Sequence, residues 1–327
     1  MNVAVVGAGS WGTGLAAHLA RRTHAVRLWA RDAALARDIV DRRENPRYLP
    51  GITLPDLRAT SDLAEALKDA EMAVVAVPSE FCREAFRGLR PHLGAGTTLV
   101  SATKGLELGT LRRMSEVAAE EAPGHPVAVL SGPSFALEVA QGQPTTVVVA
   151  SAAPGVAEAV QRAVSSRSFR AYSSDDVIGV ELGGSLKNVI AIAAGIVAGL
   201  GYGHNTVAAL ITRGLAEISR LAVALGARPD TLSGLAGLGD LVLTCTGGLS
   251  RNRRLGHALG AGHSVGEALA ELHMVAEGVR TTQAACALAE RAGVEMPIAQ
   301  QMRAVLYEGK PPREGVDELM LRTLKRE

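Results

Sequence analysis

Cysteine is scarce in this 327-residue sequence, and the three present, Cys82, Cys245 and Cys286, lie far apart. An odd number with no CxxC pair and no Cys/His ligand spacing indicates neither a disulfide framework nor a zinc site, so we expect no metal. Unpaired thiols are typical of a reducing compartment. The chain also lacks a basic segment before its first apolar run at Val3, which argues against a signal peptide. We therefore expect a cytoplasmic protein.

A charge excess and a long apolar run are missing as well. The 34 Lys and Arg residues nearly balance the 33 Asp and Glu residues, so the sequence indicates neither nucleic-acid binding nor a polybasic membrane contact. The charge-free run at residues 188–203 contains glycines and is shorter than the roughly 20 residues of a membrane helix, so we expect no stable membrane insertion. Any anionic ligand must then be bound by locally placed basic side chains.

The first half of the sequence alternates short Val-rich runs with helical patterns. Their unbroken apolar character suits strands that are buried on both faces. We predict strands at residues 3–6, 26–29, 72–77, 98–101, 127–130 and 146–150. Ser61 and Ser79 are expected to cap the helices that follow them. The alternation predicts an α/β fold with a doubly wound, parallel sheet.

The pattern changes near Asp175. Residues 177–225 carry Ala, Leu and Ile at helical spacing, and helical segments continue from there to the end. A chain of this length suits two domains. We predict a Rossmann-like domain at residues 1–175 and an all-helical domain at residues 176–327.

A glycine triplet follows the first predicted strand. Gly7, Gly9 and Gly12 form G-x-G-x-x-G between that strand and a predicted helix, which is the context that makes the motif informative. Gly7 permits the tight turn, Gly9 lets a pyrophosphate approach the backbone, and Gly12 lets the helix and strand lie close together. The free N–H groups of the helix would meet the phosphates. We interpret residues 1–175 as a dinucleotide-binding domain.

The end of the second strand bears on which dinucleotide is bound. An acidic residue there holds the ribose hydroxyls of NAD, whereas an arginine accommodates the 2′-phosphate of NADP. Arg31 and Asp32 are both present. Arg31 comes first, and Asp32 has an alternative role as a helix cap. The sequence therefore allows NADP or NAD and favours NADPH.

Two later loops of this domain carry polar groups that suit a ligand. Lys104 lies in SATKG at the carboxyl end of a predicted strand, where ligands of open α/β sheets bind. A solvated surface lysine is the alternative. The segment at residues 130–136, LSGPSFA, offers backbone N–H groups and hydroxyls after the next strand, although it fits a simple turn equally well.

Lys187 is unusual because it lies in a very apolar helical segment. Glu181 and Lys187 are the only charged residues between Asp176 and His204. Lysines are seldom fully buried without a partner, and desolvation would lower the pKa of this amine towards neutrality. Such a lysine can exchange a proton with a carbonyl or alcohol oxygen. The alternative is a lysine that extends to the surface.

A glycine-rich bend further along the helical half precedes a polar cluster. Asp240 lies in GLGD, and Ser250, Arg251 and Asn252 offer a hydroxyl, a guanidinium and an amide together. Arginine makes paired, charge-assisted hydrogen bonds to phosphate, so this group suits a phosphate ester. A basic helix start with a solvated face is the alternative.

With these motifs identified, the sequence closely resembles bacterial NAD(P)-dependent glycerol-3-phosphate dehydrogenase along nearly its whole length. The resemblance rests on GAGSWGT, SATKGLE, LSGPSFALEVA, ELGGSLKNVIAIAAGIVAGLGYG, ITRGLAEI, GLAGLGDLVLTCTGGLSRNRRLG and VAEGVRTT. It implies a Rossmann domain followed by an all-helical domain. It also implies reversible, NAD(P)H-dependent reduction of dihydroxyacetone phosphate to sn-glycerol 3-phosphate, which supplies phospholipid synthesis.

The resemblance further implies residue roles. Lys187 would be the catalytic proton donor in reduction and would also contact the substrate. Besides the glycine triplet, the cofactor would be contacted by Ser10, Trp11, Arg31, Tyr48, Lys104, Ala136, Arg251, Val275 and Glu277. The substrate would be contacted by Lys104, Gly132, Ser134, Asp240, Ser250, Arg251 and Asn252.

Two alternatives stay open at this point. One is another two-domain reductase, such as a 3-hydroxyacyl-CoA or 6-phosphogluconate dehydrogenase, although the Ser250–Asn252 group and the Lys187 segment favour a small phosphate ester. The other is a redox sensor that binds NADPH without turning it over, against which Lys187, Lys104 and Asp240 together argue. The partner we expect is a small-molecule substrate, and a homodimer is one assembly that the sequence allows.

Overall fold

The computed structural model of the chain describes residues 1–22, 24–272 and 275–323. These residues form two compact units. The first unit comprises residues 1–104 and 112–181, and the second comprises residues 105–111 and 182–327 with the gaps just given.

The first unit is built on an eight-stranded sheet with the order β3-β2-β1-β4-β5-β6-β7-β8. Its strands are β1 (Asn2–Val6), β2 (Ala25–Trp29), β3 (Arg58–Thr60), β4 (Met72–Val75), β5 (Thr98–Ser101), β6 (Val127–Ser131), β7 (Thr145–Ala150) and β8 (Phe169–Ser174). Neighbouring strands are parallel except β6 and β7, which are antiparallel. The strand order reverses between β1 and β4, and ligands of open α/β sheets bind at such a switch point.

Both faces of the sheet are covered, as the unbroken apolar strands predict. Val3 and Val5 of β1 pack into one hydrophobic cluster, whereas Ala4 and Val6 pack into another. The alternation follows from the two-residue period of a strand. The described residues of this unit form the α-helices α1 (Ser10–Arg21), α2 (Ala33–Arg42), α3 (Leu63–Leu67), α4 (Cys82–Leu89), α5 (Met114–Glu121), α6 (Ala136–Ala140) and α7 (Val156–Val164).

The described residues of the second unit are mainly helical. Its helices are α8 (Val177–Gly199, whose first five residues belong to the first unit), α9 (His204–Ala224), α10 (Pro229–Ser233), α11 (Asp240–Thr246), α12 (Arg251–Gly260), α13 (Val265–Leu272), α14 (Glu277–Ala292), α15 (Pro297–Tyr307) and α16 (Pro312–Met320). A π-helical turn, Leu235–Gly239, leads directly into α11. The α/β and helical architecture predicted from the sequence is therefore confirmed.

Helix α8 has the length and apolar composition of a membrane span, with a mean hydropathy of 1.5 over its most apolar window. However, 89% of that window is buried within the protein. A bent pair, 229–246 with 251–260, passes the same test only when its members are counted together. Helices that are apolar on all sides also occur in the cores of water-soluble proteins. The burial of α8 within the protein fits a core helix of this kind.

Two predicted helix caps are wrong. Asp62, not Ser61, caps α3, because its carboxylate accepts the N–H of Ala64 at 2.8 Å. Ser79 begins a short 3₁₀ turn, and α4 starts only at Cys82 without a side-chain cap. The predicted strand at residues 72–77 ends at Val75, after which the chain turns.

Candidate functional site

The glycine loop between β1 and α1 has the close contacts that its sequence predicts. Gly7 has a φ of +113°, and a Cβ atom there would lie 2.7 Å from the carbonyl oxygen of Ala76. A Cβ atom on Gly12 would overlap the carbonyl oxygen of Gly7. Any larger residue at either position would therefore push the loop away from the sheet.

Gly9 differs from its two partners because nothing lies within 4 Å of the position that a Cβ atom would occupy. It is the N-cap of α1, has no side chain to cap that helix, and is followed by no acidic residue in the first turn. Among the described residues, therefore, no side chain caps the first N–H groups of α1, and the helix dipole there favours an anion. This arrangement fits the pyrophosphate of a dinucleotide.

Asn45 holds this loop in place, and the sequence analysis missed it. Its fully buried amide donates to the carbonyl oxygen of Ala8 at 2.9 Å and to the Thr13 hydroxyl at 2.8 Å. Two predicted cofactor residues are also fixed within this unit. The Ser10 hydroxyl donates to the carbonyl oxygen of Tyr48, and the Trp11 indole donates to that of Ala102.

Arg31 and Asp32 follow β2 and are used differently. Asp32 caps α2, since its carboxylate accepts the N–H groups of Ala34 and Leu35. The exposed Arg31 guanidinium lies over the ring of Phe81, 5.5 Å from its centroid. The structure thus assigns Asp32 the capping role that the sequence left open. Arg31 is an accessible cation at the end of β2, and the exposed Arg47 lies 3.5 Å from the second carboxylate oxygen of Asp32.

The predicted substrate residues of the first unit lie together. The Lys104 ammonium donates to the carbonyl oxygen of Gly132 at 2.8 Å and lies 3.5 Å from the Ser134 hydroxyl. Ser134 donates to the same carbonyl at 2.8 Å. These residues follow β5 and β6, so the parallel sheet brings their loops to one edge, on which the glycine loop also lies. Ala136 is the first residue of α6, which lies next to α1. A Cβ atom on Gly14 of α1 would lie 2.9 Å from the carbonyl oxygen of Ala136.

In the second unit, Lys187 has the partner that its burial requires. Its ammonium forms an ion pair with Asp240 and donates to the Thr244 hydroxyl at 2.8 Å. Only 5% of Lys187 and 1% of Asp240 are exposed. Thr244 in turn donates to the backbone carbonyl of Asp240 at 2.6 Å. The α8 lysine is thereby fixed against α11, which excludes the alternative of a lysine that extends to the surface.

The chemistry of this cluster follows from its charges. The Asp240 carboxylate stabilises the protonated ammonium of Lys187 and opposes the cost of burying it. An ammonium held in a dry site can pass a proton to an oxygen and take it back. Burial raises the pKa of the neighbouring Cys245 thiol to about 12, so this thiol stays protonated at neutral pH and is a poor nucleophile.

The predicted phosphate-binding group begins α12, and two of its three side chains bind protein groups. Ser250 caps the helix by accepting the N–H of Arg253 at 3.2 Å. The Asn252 amide donates to the Asn188 side chain at 2.9 Å, and its oxygen accepts the N–H of Gly278 at 3.0 Å. Asn252 therefore links α8, α12 and the start of α14.

Arg251 is the remaining member of this group. Burial lowers the pKa of its guanidinium, and the charge of Glu277 opposes that effect. Arg251 and Glu277, both predicted to contact the cofactor, are the first residues of α12 and α14. Val275, two residues before Glu277, is 36% exposed.

The structure thus forms two clusters from the predicted residues, one in each unit. Gly132 and Ser134 lie with Lys104, and Asp240 lies with Lys187. Sequence reasoning gave no role to Asn45, Asn188 or Thr244. Thr244 had a detectable signal, because it follows Asp240 by four residues and so shares its face of α11.

Comparison with protein families gives two matches that together cover most of the chain. Residues 2–157 match the family model of the NAD-dependent glycerol-3-phosphate dehydrogenase N-terminus. Residues 176–317 match the model of the C-terminus of the same enzymes.

Individual relatives match over the full length. A glycerol-3-phosphate dehydrogenase [NAD(P)+] from Geobacter sp. strain M21 is 53% identical over 99% of this chain and 98% of its own. One from Anaeromyxobacter sp. strain K is 53% identical over all of both chains. Among solved structures, glycerol-3-phosphate dehydrogenase from Coxiella burnetii is 43% identical, with a TM-score of 0.95 over 98% of this chain and 99% of that chain.

Proposed function

The chain belongs to the NAD-dependent glycerol-3-phosphate dehydrogenase family, and on that premise we propose that it reduces dihydroxyacetone phosphate reversibly to sn-glycerol 3-phosphate with NAD(P)H. The observation that carries the proposal is the buried Lys187–Asp240–Thr244 cluster. A buried, hydrogen-bonded lysine suits proton transfer to a carbonyl oxygen.

The dinucleotide would be held by the glycine loop of Gly7, Gly9 and Gly12 and by the N-terminus of α1. When bound, the reduced nicotinamide supplies the hydride of the reaction. The residues assigned to its binding by family resemblance are Ser10, Trp11, Arg31, Tyr48, Lys104, Ala136, Arg251, Val275 and Glu277. The exposed Arg31 and the occupied Asp32 support a preference for NADPH over NADH.

Lys187 would donate the proton to the substrate oxygen in reduction and accept it in oxidation. Asp240 holds the ammonium and stabilises its charge, and Thr244 fixes its direction by accepting a second hydrogen bond from it. The Thr244 hydroxyl is oriented to accept from the ammonium, since it donates its own proton to the Asp240 carbonyl. Protein groups fixed before the reaction lower its barrier because they need no reorganisation.

The substrate phosphate would be bound by Arg251 at the start of α12. Its guanidinium is half-buried, burial lowers its pKa, and pairing with a dianion would offset that desolvation. Ser250 and Asn252 support the helix start through the hydrogen bonds described above. Lys104, Gly132 and Ser134 would complete the set of substrate-binding residues from the first unit.

The assignment of residues 1–175 to cofactor binding and of residues 176–327 to substrate binding and catalysis belongs to the same proposal. So do a cytoplasmic location, for which three buried free thiols give support, and assembly as a homodimer. The supply of phospholipid synthesis follows from the product, because glycerol 3-phosphate is its backbone.

A direct spectrophotometric assay tests the function. Purified protein is mixed with NADPH or NADH, and the near-ultraviolet absorbance of the reduced cofactor is followed after addition of dihydroxyacetone phosphate. We expect rapid cofactor loss with this substrate. 3-Oxoacyl-CoA, and 6-phosphogluconate assayed with the oxidised cofactors, serve as comparison substrates. Turnover of one of these in preference, or cofactor binding without any turnover, would contradict the proposal.

A further inference from the structure

The Lys187–Asp240 pair lies one turn from a place where two backbones touch. Gly183 of α8 is buried, and a Cβ atom there would lie 2.6 Å from the carbonyl oxygen of Ala236 and 3.1 Å from its carbon. The Cα atom of Gly237 would be 3.3 Å away. These are backbone atoms, which cannot rotate out of the way as a side chain can. The closeness of α8 to this segment therefore depends on the absence of a side chain at position 183.

The register of this contact matters for the ion pair. Gly183 precedes Lys187 by four residues, and Ala236 precedes Asp240 by four residues. Residues four apart lie on the same side of a helix, one turn from each other. The backbone contact and the ion pair are therefore successive contacts between the same two segments.

The segment that contacts Gly183 has an unusual backbone conformation. Residues 235–239 form a π-helical turn in which the N–H of Gly239 donates to the carbonyl of Gly234, five residues earlier, at 3.0 Å. A Cβ atom on Gly237 would overlap the carbonyl oxygen of Leu232. A wide turn of this kind interrupts a helix and often marks a functional site. Here it ends at Asp240, the first residue of α11.

We propose that Gly183 is a positioning residue: by letting α8 touch the π-helical turn, it sets the distance from Lys187 to Asp240 and Thr244. The inference rests on the proposed role of Lys187 in proton transfer. An added methyl group at position 183 would separate or rotate the two segments one turn from the ion pair. A displacement of about 1 Å in a catalytic arrangement can cost about 100-fold in rate.

The test is Gly183→Ala. We expect kcat to fall at least about tenfold, while the KM for dihydroxyacetone phosphate and the Kd for NADPH change by less than about threefold, since the proposed phosphate-binding Arg251 and the glycine loop are left in place. A partial loss of folded enzyme would also lower the apparent kcat and leave KM unchanged, so kcat must be expressed per folded molecule, with the folded amount taken from NADPH titration and the melting temperature measured alongside. Unchanged kcat in a folded variant would overturn the inference.

Gly199→Ala is the matched control. It adds the same methyl group to the same helix, where a Cβ atom would overlap the carbonyl oxygen of His257. Position 199 lies about 18 Å along α8 from Lys187, at about 1.5 Å per residue. We expect a lower melting temperature with kcat per folded molecule near that of the wild type. An equal loss of kcat in both variants would show a general packing effect and would also overturn the inference.

A rescue experiment tests the direction of the displacement. Asp240→Glu adds one methylene and should lower kcat in the wild type, but in the Gly183→Ala background it should restore part of the lost reach to Lys187. The two changes should therefore be less harmful together than their separate effects predict. Simple additivity would contradict the proposed mechanism.

Ala236→Gly covers the case in which Gly183→Ala does not fold. It adds no volume and, as a glycine, gives the backbone that touches Gly183 more conformational freedom, so we expect a several-fold lower kcat with KM retained. Wild-type kcat in this variant would overturn the inference. Lys187→Met separates the two proposals: if it stays active, the role of Lys187 fails, whereas an inactive Lys187→Met with a fully active Gly183→Ala refutes the positioning alone.

Discussion

Both carboxylate oxygens of Glu217 accept the backbone N–H of Ile298, at 2.9 and 3.1 Å. Glu217 is 3% exposed in the middle of α9, and Ile298 lies in the first turn of α15. The carboxyl group thus supplies a hydrogen-bond acceptor that the start of α15 lacks within its own sequence. Burial raises the pKa of Glu217 to about 7, although the N–H groups of Ile298 and Ala299 act in the opposite direction.

This raised pKa predicts a pH dependence of stability. The folded protein holds the Glu217 proton up to about pH 7, whereas the unfolded chain releases it near the ordinary glutamate pKa of 4.5. The stabilising contribution of protonated Glu217 to the free energy of unfolding is therefore fully present below pH 4.5 and is lost as the pH rises through 7. We expect it to reach at most about 3 kcal/mol in the free energy of unfolding.

Urea unfolding of the wild type and of Glu217→Gln from pH 5 to 8.5 measures this effect. The amide cannot ionise, so the stability of the variant relative to the wild type should increase as the pH rises. Parallel stability profiles for the two proteins would mean that Glu217 does not titrate in this range.

Lys187→Met should nearly abolish turnover, by about 10²–10⁴-fold, because the proton donor is removed. The cofactor should still bind, since the glycine loop belongs to the other unit. Steady-state rates and fluorescence titration with NADPH check the two parts. The variant also leaves the buried Asp240 carboxylate without its cation, which is destabilising, so its melting temperature must be measured alongside.

Thr244→Val is a milder companion variant. It removes one hydrogen bond to the Lys187 ammonium and keeps the ion pair, so we expect a smaller loss of kcat than in Lys187→Met. Wild-type turnover in Lys187→Met would end the assignment of Lys187 as the proton donor, whatever Thr244→Val does.

Arg251→Ala should lower kcat/KM for dihydroxyacetone phosphate by at least about 30-fold. Truncating one partner of a buried, charge-assisted pair typically costs about 2–5 kcal/mol, and 30-fold is the low end of that range. Unphosphorylated dihydroxyacetone is the control substrate, because it has no phosphate to lose. The assays require saturating NADPH, since Arg251 is also assigned to the cofactor. Equal losses on both substrates would show that Arg251 serves the cofactor or the fold.

Arg31→Ala should weaken NADPH binding more than NADH binding, because only NADPH carries a 2′-phosphate for the guanidinium to pair with. Fluorescence titration of the purified variant with each cofactor measures the difference. Asp32→Asn, which keeps a capping side chain on α2, is the neighbouring control. Equal weakening of both cofactors by Arg31→Ala would limit Arg31 to stacking on the adenine or on Phe81.

Strand positions and the glycine loop were predictable because periodicity and residue type determine them locally. The short β3 and the polar β8, FRAYSS, lack the Val-rich signal and were missed. The antiparallel pairing of β6 and β7 was missed for a different reason: a hydrophobic pattern carries no strand direction. Ser61 and Asp62 are equally good capping residue types, but Asp62 caps α3. The exact residue at which the helix begins determines which of the two side chains reaches the free N–H groups.

The candidate site shows the same limit. The apolar surroundings of Lys187 predicted that a partner was needed, but not that Asp240, 53 residues later, would supply it. Asn188 and Asn252 are 64 residues apart and meet only through the packing of α8 and α12. Contacts between distant segments depend on tertiary structure, and a single sequence gives no direct signal for them.

The antiparallel β6–β7 pair also divides the loops of the first unit into two groups. Because β7 and β8 run against β1–β6, the turn after β7 leaves the sheet at the edge opposite to the glycine loop. That turn contains the exposed Ala152, Pro154 and Gly155. A fluorescent label or an affinity tag inserted there would be far from the edge of the sheet that carries the glycine loop. The antiparallel β7 therefore provides a site for surface attachment that leaves cofactor access unobstructed.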